Sequence, residues 1–189
     1  FMLKYEKEYW SLGYKLLAGV DEVGRGPLAG PVVASAVILP KDIQIEGIND
    51  SKKLSPKKRE LFFDEIHAHA IDIGIGIVHE NEIDQMNILK ATHKAMRIAL
   101  KNLSKKPEMV LVDGREADLG DYKQKNIIKG DEKSMSIAAA SIIAKVTRDR
   151  IMCEYDKIYP DFRFKDNKGY GTKYHMDEIK KSYSTLIHR

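Results

Sequence analysis

Four carboxylates in this chain stand where apolar runs stop. Asp21 and Glu22 follow the run at 16–20, Asp113 follows Met109-Val110-Leu111-Val112, and Asp131 comes shortly after Ile127-Ile128. An acidic side chain set just beyond a buried strand is costly unless it is solvated, hydrogen-bonded or bound to a cation. Four that converge would repel one another and raise their pKa values until divalent metal joins them. Hard ions such as Mg²⁺ or Mn²⁺ suit an all-oxygen set, with water and substrate phosphate completing the shell. The chemistry that follows is two-metal phosphodiester hydrolysis, one ion activating water and the other stabilising the leaving oxygen. Each acid also has a plainer reading. Asp113-Gly114 is a common turn pair, and Asp131 suits a helix N-terminus. Consecutive strand residues point to opposite faces, so Asp21 is the stronger ligand candidate and Glu22 joins it only if the pleat is broken.

Two loops could present a ligand to those acids. In Gly24-Arg25-Gly26 the glycines either make a tight turn or let backbone groups approach a ligand closely. No Gly-Lys-Ser/Thr follows, so this is not a P-loop. Tyr170, between Gly169 and Gly171, is an aromatic on a loop, suited to packing or to stacking on a sugar or base. Residues 51–59 hold five positive charges, which fit a solvated helix start or a phosphate-contacting edge. The histidines are scattered, with His67 and His69 on different helix faces, and zinc spacings are absent.

The elements that must position these groups read as an α/β fold in one main domain. Strands are expected at 16–20 and 32–39, a helix at 55–70 opened by Ser55-Pro56, and a strand at 71–78 where isoleucine alternates with Asp72, Gly74 and Gly76. A long helix is expected at 80–103, strands at 109–112 and 127–128, a helix at 134–159 rich in alanine, and a last helix near 174–184. Adjacent strands early and alternation later imply a mixed sheet with helices packed on it. The 189 residues can bury a core without disulfides; Cys153 is the single cysteine, and a net charge of +4 is compatible with a polyanionic partner. The N-terminal ten residues are too polar for a signal peptide, and no apolar run reaches the roughly 18 residues that span a bilayer. A soluble, cytoplasmic protein is expected.

Ala18-Gly19-Val20-Asp21-Glu22-Val23-Gly24-Arg25-Gly26-Pro27-Leu28-Ala29-Gly30-Pro31-Val32 resembles the N-terminal signature of ribonuclease HII. Asn49-Asp50-Ser51-Lys52-Lys53-Leu54, Val112-Asp113-Gly114 and Lys129-Gly130-Asp131 are similar to its later motifs. So are the helix at 136–149 and Gly169-Tyr170-Gly171-Thr172, all in the family's order. The resemblance implies a ribonuclease H-like fold: a mixed central β-sheet flanked by α-helices, with a core over about 1–150 and a C-terminal helical substrate-binding segment over about 151–189. It implies Asp21, Glu22, Asp113 and Asp131 as catalytic metal ligands for Mg²⁺ or Mn²⁺. It implies that Gly24, Arg25 and Gly26 contact a 2′-hydroxyl, that Tyr170 packs on the neighbouring sugar, and that Ser51, Lys52, Ser141 and Lys145 belong to the substrate-binding set. The 2′-hydroxyl is what distinguishes RNA from DNA at one nucleotide. A monomer is implied that cuts RNA–DNA hybrids, and duplex DNA carrying single ribonucleotides, on the ribonucleotide's 5′ side, leaving 3′-hydroxyl and 5′-phosphate. Residues 115–125 are charged where that family would carry an apolar, proline-containing loop. The sister type, ribonuclease HIII, would place a further domain ahead of Asp21 and more often lysine at Arg25. Two other classes compete: a catalytically silent nucleic-acid-binding module of the same fold, and a nuclease of that fold with another substrate, such as a junction resolvase.

Overall fold

A computed structural model describes residues 2–48, 51–181 and 184–189; Asn49 and Asp50 of the second motif lie outside the described residues. Among the described residues five strands form one mixed sheet: β1 (Leu17–Val23), β2 (Val32–Ile38), β3 (Asp72–Val78), β4 (Met109–Asp113) and β5 (Gln124–Ile127). The order across the sheet is β3-β2-β1-β4-β5. β1 pairs antiparallel with β2, and β2 with β3, whereas β1–β4 and β4–β5 are parallel. The first strand therefore lies at the centre, flanked by partners of both senses.

Among the described residues there are seven α-helices: α1 (Lys4–Ser11), α2 (Pro56–His69), α3 (Glu80–Met86), α4 (Ile88–Lys101), α5 (Met135–Ile158), α6 (Phe164–Asn167) and α7 (Lys173–Lys181). β2 is buried along its whole length because both faces are covered. Val32, Ala34, Ala36 and Ile38 meet the alanines of α4, whereas Val37 meets α5 and Ile66 of α2. That is the two-residue period of a strand sorting its side chains between two layers. The expected change-over near residue 150 falls inside α5, whose Met152 joins Ala29, Phe162, Phe164 and Ile187 in a separate apolar cluster.

The strand expected at 71–78 forms, and two other elements depart from the sequence reading. In β3 the glycines, not the isoleucines, face the tightest layer: a Cβ on Gly74 or Gly76 would sit 2.0 Å from the carbonyl oxygen of Ala99 or Ala95. α4 thus lies directly on the strand backbone, and Ile73, Ile75 and Ile77 are half-buried on the other face. β5 is centred earlier than expected, leaving Ile128 exposed. The helix expected at 80–103 is two helices. Asn87 breaks it with φ +79° and caps the second one, accepting from the Lys90 N–H at 3.0 Å. Asn87→Ala is expected to lower stability by about 1 kcal/mol, and Asn87→Gly by only a few tenths, in chemical denaturation. The last helix ends at Lys181, with 182–183 outside the described residues. Among the described residues no helix is long and apolar enough to cross a membrane.

Candidate active site

Strand register places the acids. The β1–β4 ladder ends at Val20↔Val112, so Asp21 and Asp113 are the next positions at the same sheet end. β4 pairs Asp113 with Ile127, and the chain then turns through a 3-10 segment, Gly130–Glu132, that carries Asp131. The Gly130 N–H donates to Asp113 Oδ1 at 2.6 Å, which fixes that carboxylate against the Asp131 turn. The Glu22 N–H donates to Asp21 Oδ1 at 2.7 Å.

Asp21 and Asp131 are buried; Glu22 and Asp113 are half-buried. Burial pushes the Asp21 carboxyl well above the usual carboxylate range. Glu22, Asp113 and Asp131 push the same way, against the Glu22 N–H. Glu22 is also raised, by burial first; the Arg25 guanidinium at 3.4 Å pulls it back and Asp113 raises it. The four acids are therefore electrostatic neighbours. The broken pleat that would bring Glu22 beside Asp21 is not seen. β1 stays regular to Val23, with Asp21↔Ser35 and Glu22↔Ala34 both paired.

Among the described residues no group of three or more His, Cys, Asp or Glu side chains is drawn in closely enough to grip an ion as it stands. The donor chemistry fits a hard divalent cation all the same. The ligand atoms are carboxylate oxygens, and the forces on Asp21 are burial and like charge, which such an ion relieves.

Beside the acids, one buried guanidinium joins the two loops. Arg148 of α5 is fully buried and donates from Nε to the Pro31 carbonyl at 2.9 Å. Its other nitrogens reach Ala29 O at 2.9 Å and Lys168 O at 2.8 Å. The Leu28 N–H also donates to Gly169 O at 2.8 Å. Gly24 has φ +99°, and a Cβ there would meet both Arg148 Nε and Pro31 O at 2.5 Å, so only glycine fits. The Arg148 guanidinium lies 5.9 Å from the centre of the Tyr170 ring, and that ring passes 3.8 Å from where a Cβ of Gly26 would be. The glycine loop and the tyrosine loop are thus a single surface next to the acids. Burial lowers the Arg148 pKa to about 10.

Residues near the C-terminus brace that surface. Gly30 N–H donates to Ile187 O at 2.9 Å, Arg189 N–H to Leu28 O at 3.0 Å, and the Arg189 guanidinium to Gly24 O. The histidines, expected to be scattered, include one pair: His175 and His188 meet Nε2 to Nε2 at 2.9 Å. Because the Thr185 N–H must donate to His188 Nδ1, the line runs His188 Nε2–H to His175, and His175 Nδ1–H to Tyr170 O at 2.8 Å. The fold brings together residues far apart in sequence, which spacing alone does not reveal.

The remaining candidates divide. Ser141 donates to Ser51 at 2.8 Å, both buried. Lys52, Lys57 and Lys58 are exposed, whereas Arg59 turns inward to the carbonyls of Ser51 and Leu54. Lys53 pairs with Glu132 at 2.5 Å, and Lys145 with Asp149 at 2.7 Å. Lys145, Arg59, Arg150, Lys165 and Lys168 line a cleft of about 490 Å³ along α2 and α5. The sequence reading missed Arg148, His175 and His188 as site residues. For Arg148 a signal existed: it lies four residues after Ala144 and seven after Ser141, on the buried face of α5.

The family model for ribonuclease HII matches residues 18–189. A ribonuclease HII of Acetivibrio thermocellus is 58% identical over 188 residues, covering 100% of this chain and 73% of that protein. One of Clostridioides difficile is 55% identical over 185 residues, covering 98% and 72%. Among solved structures, the ribonuclease H2 of Pyrococcus horikoshii superposes with a TM-score of 0.78 at 29% identity, over 92% of each chain. The ribonuclease HII in a PCNA complex from Archaeoglobus fulgidus gives 0.77 at 26%, over 92% of this chain and 93% of that one.

Proposed function

The chain belongs to the ribonuclease HII family and is a ribonuclease H enzyme acting on nucleic acid; on that premise we propose that it cuts on the 5′ side of ribonucleotides in RNA–DNA hybrids and of single ribonucleotides within duplex DNA. The products are 3′-hydroxyl and 5′-phosphate ends. Its setting is ribonucleotide removal in the cytoplasm, and it works as a monomer. The observation that carries this reading is the shared surface of Gly24–Gly26 and Tyr170, welded by Arg148 and set beside four mutually repelling acids.

Asp21, Glu22, Asp113 and Asp131 would hold two divalent ions, Mg²⁺ or Mn²⁺. When bound, the ions supply Lewis-acid activation of water and of the leaving oxygen. Bound cations would favour the ionised form of Asp21 and Glu22, offsetting the burial and like charge that raise their pKa values. The backbone of Gly24–Gly26, free of Cβ atoms at Gly24 and Gly26, approaches the 2′-hydroxyl, and Arg25 adds a charged donor. Tyr170 packs on the adjacent sugar. Ser51, Lys52, Ser141 and Lys145 belong to the surface that meets the duplex, with lysines neutralising phosphate.

A labelled DNA duplex with one ribonucleotide tests the reading, beside all-DNA and EDTA controls. One cut 5′ to the ribonucleotide, needing metal and absent on all-DNA, is the expected result. Equal cutting of all-DNA would point to a nuclease of another specificity, and no cutting with either metal to a binding module.

A further inference from the structure

Helix α1 precedes the stretch matched by the family model, yet one of its side chains reaches the start of α5, just after the turn that carries Asp131. Glu6 is fully buried. Its Oε1 accepts from the Ser134 hydroxyl at 2.6 Å and from the Ser136 N–H at 3.0 Å. The same Ser134 hydroxyl accepts from the Ile137 N–H at 3.2 Å and so caps α5. Ser134 N–H donates to Gly130 O at 2.8 Å, and Gly130 N–H donates to Asp113 Oδ1 at 2.6 Å. A line of hydrogen bonds therefore runs from Glu6 through Ser134 and Gly130 to Asp113, and Asp131 is the residue next to Gly130.

Packing alone would hold α1 in place. Leu3 and Trp10 join the core beneath α5, and Tyr5 and Tyr9 cover Leu111, Ile127 and Ile137. Backbone contacts, Met135 N–H to Met2 O at 2.6 Å and a bridge between Leu3 and Ser134, add to this. A carboxylate is not needed for such docking, and burying one is expensive, the more so as Oε2 finds no hydrogen-bond partner. What the carboxylate adds is direction. It sits at the N-terminus of α5, where backbone N–H groups and the helix dipole favour negative charge. It also orients the Ser134 hydroxyl, whose proton must point to Glu6 so that a lone pair faces Ile137.

We propose that Glu6 is a positioning residue: acting through Ser134, it fixes the turn that carries Asp131 and the carboxylate of Asp113, and so sets the spacing of two of the four acids without touching substrate. This rests on the reading of the four acids given above. An element outside the family match would then tune the metal-binding geometry of the site inside it.

Glu6→Ala and Glu6→Gln test the idea in the full chain. Glu6→Ala is expected to lower kcat, and Mn²⁺ affinity in calorimetry without substrate, by about ten-fold each, as loss of a ligand-orienting partner does. KM and duplex affinity in EDTA should stay within about two-fold, because the glycine and tyrosine loops are untouched. Glu6→Gln keeps an acceptor oxygen for Ser134 and Ser136, and should stay within about three-fold of wild type on every readout. Wild-type kcat and Mn²⁺ binding in folded Glu6→Ala would overturn the proposal, as would a loss in Glu6→Gln equal to that in Glu6→Ala. Should Glu6→Ala fail to fold, Ser134→Ala cuts the same line while leaving α1 packed, and the same split between kcat and KM is expected or the proposal fails. Asp131→Asn run alongside separates the two levels. Its full activity would sink the four-acid reading itself, whereas a dead Asp131→Asn beside a normal Glu6→Ala would sink only the link through α1.

Discussion

An Asp21→Asn variant is expected to cut a one-ribonucleotide duplex about a thousand-fold more slowly than wild type, the equivalent of about 4 kcal/mol of lost transition-state stabilisation. Asparagine keeps the size of the side chain and an oxygen to accept the Glu22 N–H, so the strand end should stay in place. Duplex affinity in EDTA should change little. The same variant makes a statement about stability. The folded Asp21 pKa lies above its ordinary value because of burial and the neighbouring acids. The folded state therefore holds its proton more tightly than the unfolded state, and metal-free stability falls as pH rises from the ordinary carboxylate range through the folded pKa. Melting temperatures in EDTA should decline over that window for wild type. Asp21→Asn, with no proton to lose there, should show a flatter profile and melt higher at neutral pH. Divalent metal should then raise the wild-type melting temperature well above any rise in the variant. A variant as active as wild type, or one that melts lower in EDTA at neutral pH, contradicts the assignment.

The second large effect is expected at Arg148. Removing its guanidinium leaves the buried carbonyls of Ala29 and Pro31, and the half-buried one of Lys168, without that donor. Each orphaned carbonyl costs about 1–3 kcal/mol. Arg148→Ala should therefore lose several kcal/mol and melt far below wild type. Arg148→Lys is the more informative change, since an ammonium keeps the charge but not the planar fork that spans two loops. It should fold, bind Mn²⁺ normally, and raise KM for the one-ribonucleotide duplex by about ten-fold or more, with a matching loss of preference over all-DNA. An unchanged KM and preference in Arg148→Lys would mean that the loops hold their relative position without the clamp.

Much of this arrangement is legible in the residues themselves. The acids Asp21, Asp113 and Asp131 announce themselves as polar groups at the ends of apolar runs, and the mixed sheet follows from the order of those runs. Where the reading fell short, the cause is tertiary each time. Alternation in 71–78 is visible, but that the glycine face lies under α4 depends on a helix twenty residues away. Asn87 interrupts a continuous helical pattern by adopting a positive φ, which asparagine tolerates and periodicity does not register. That Asp113 acts electrostatically on Glu22 follows from the fold rather than from composition. Arg148, Glu6 and the His175–His188 pair act across 13 to 130 residues of chain. No local pattern encodes such pairs.

The placing of β1 between an antiparallel and a parallel partner has a kinetic side. The β1–β2–β3 meander joins strands that are near in sequence, whereas β1–β4 pairs residues such as Val20 and Val112 across a long intervening chain. Closing such a loop is entropically slower than closing a hairpin. The early meander contains Asp21 and Glu22 but neither Asp113 nor Asp131, so a half-folded chain carries two acids and no complete site. On this topology the four acids come together only once the long-range β1–β4 pairing has closed.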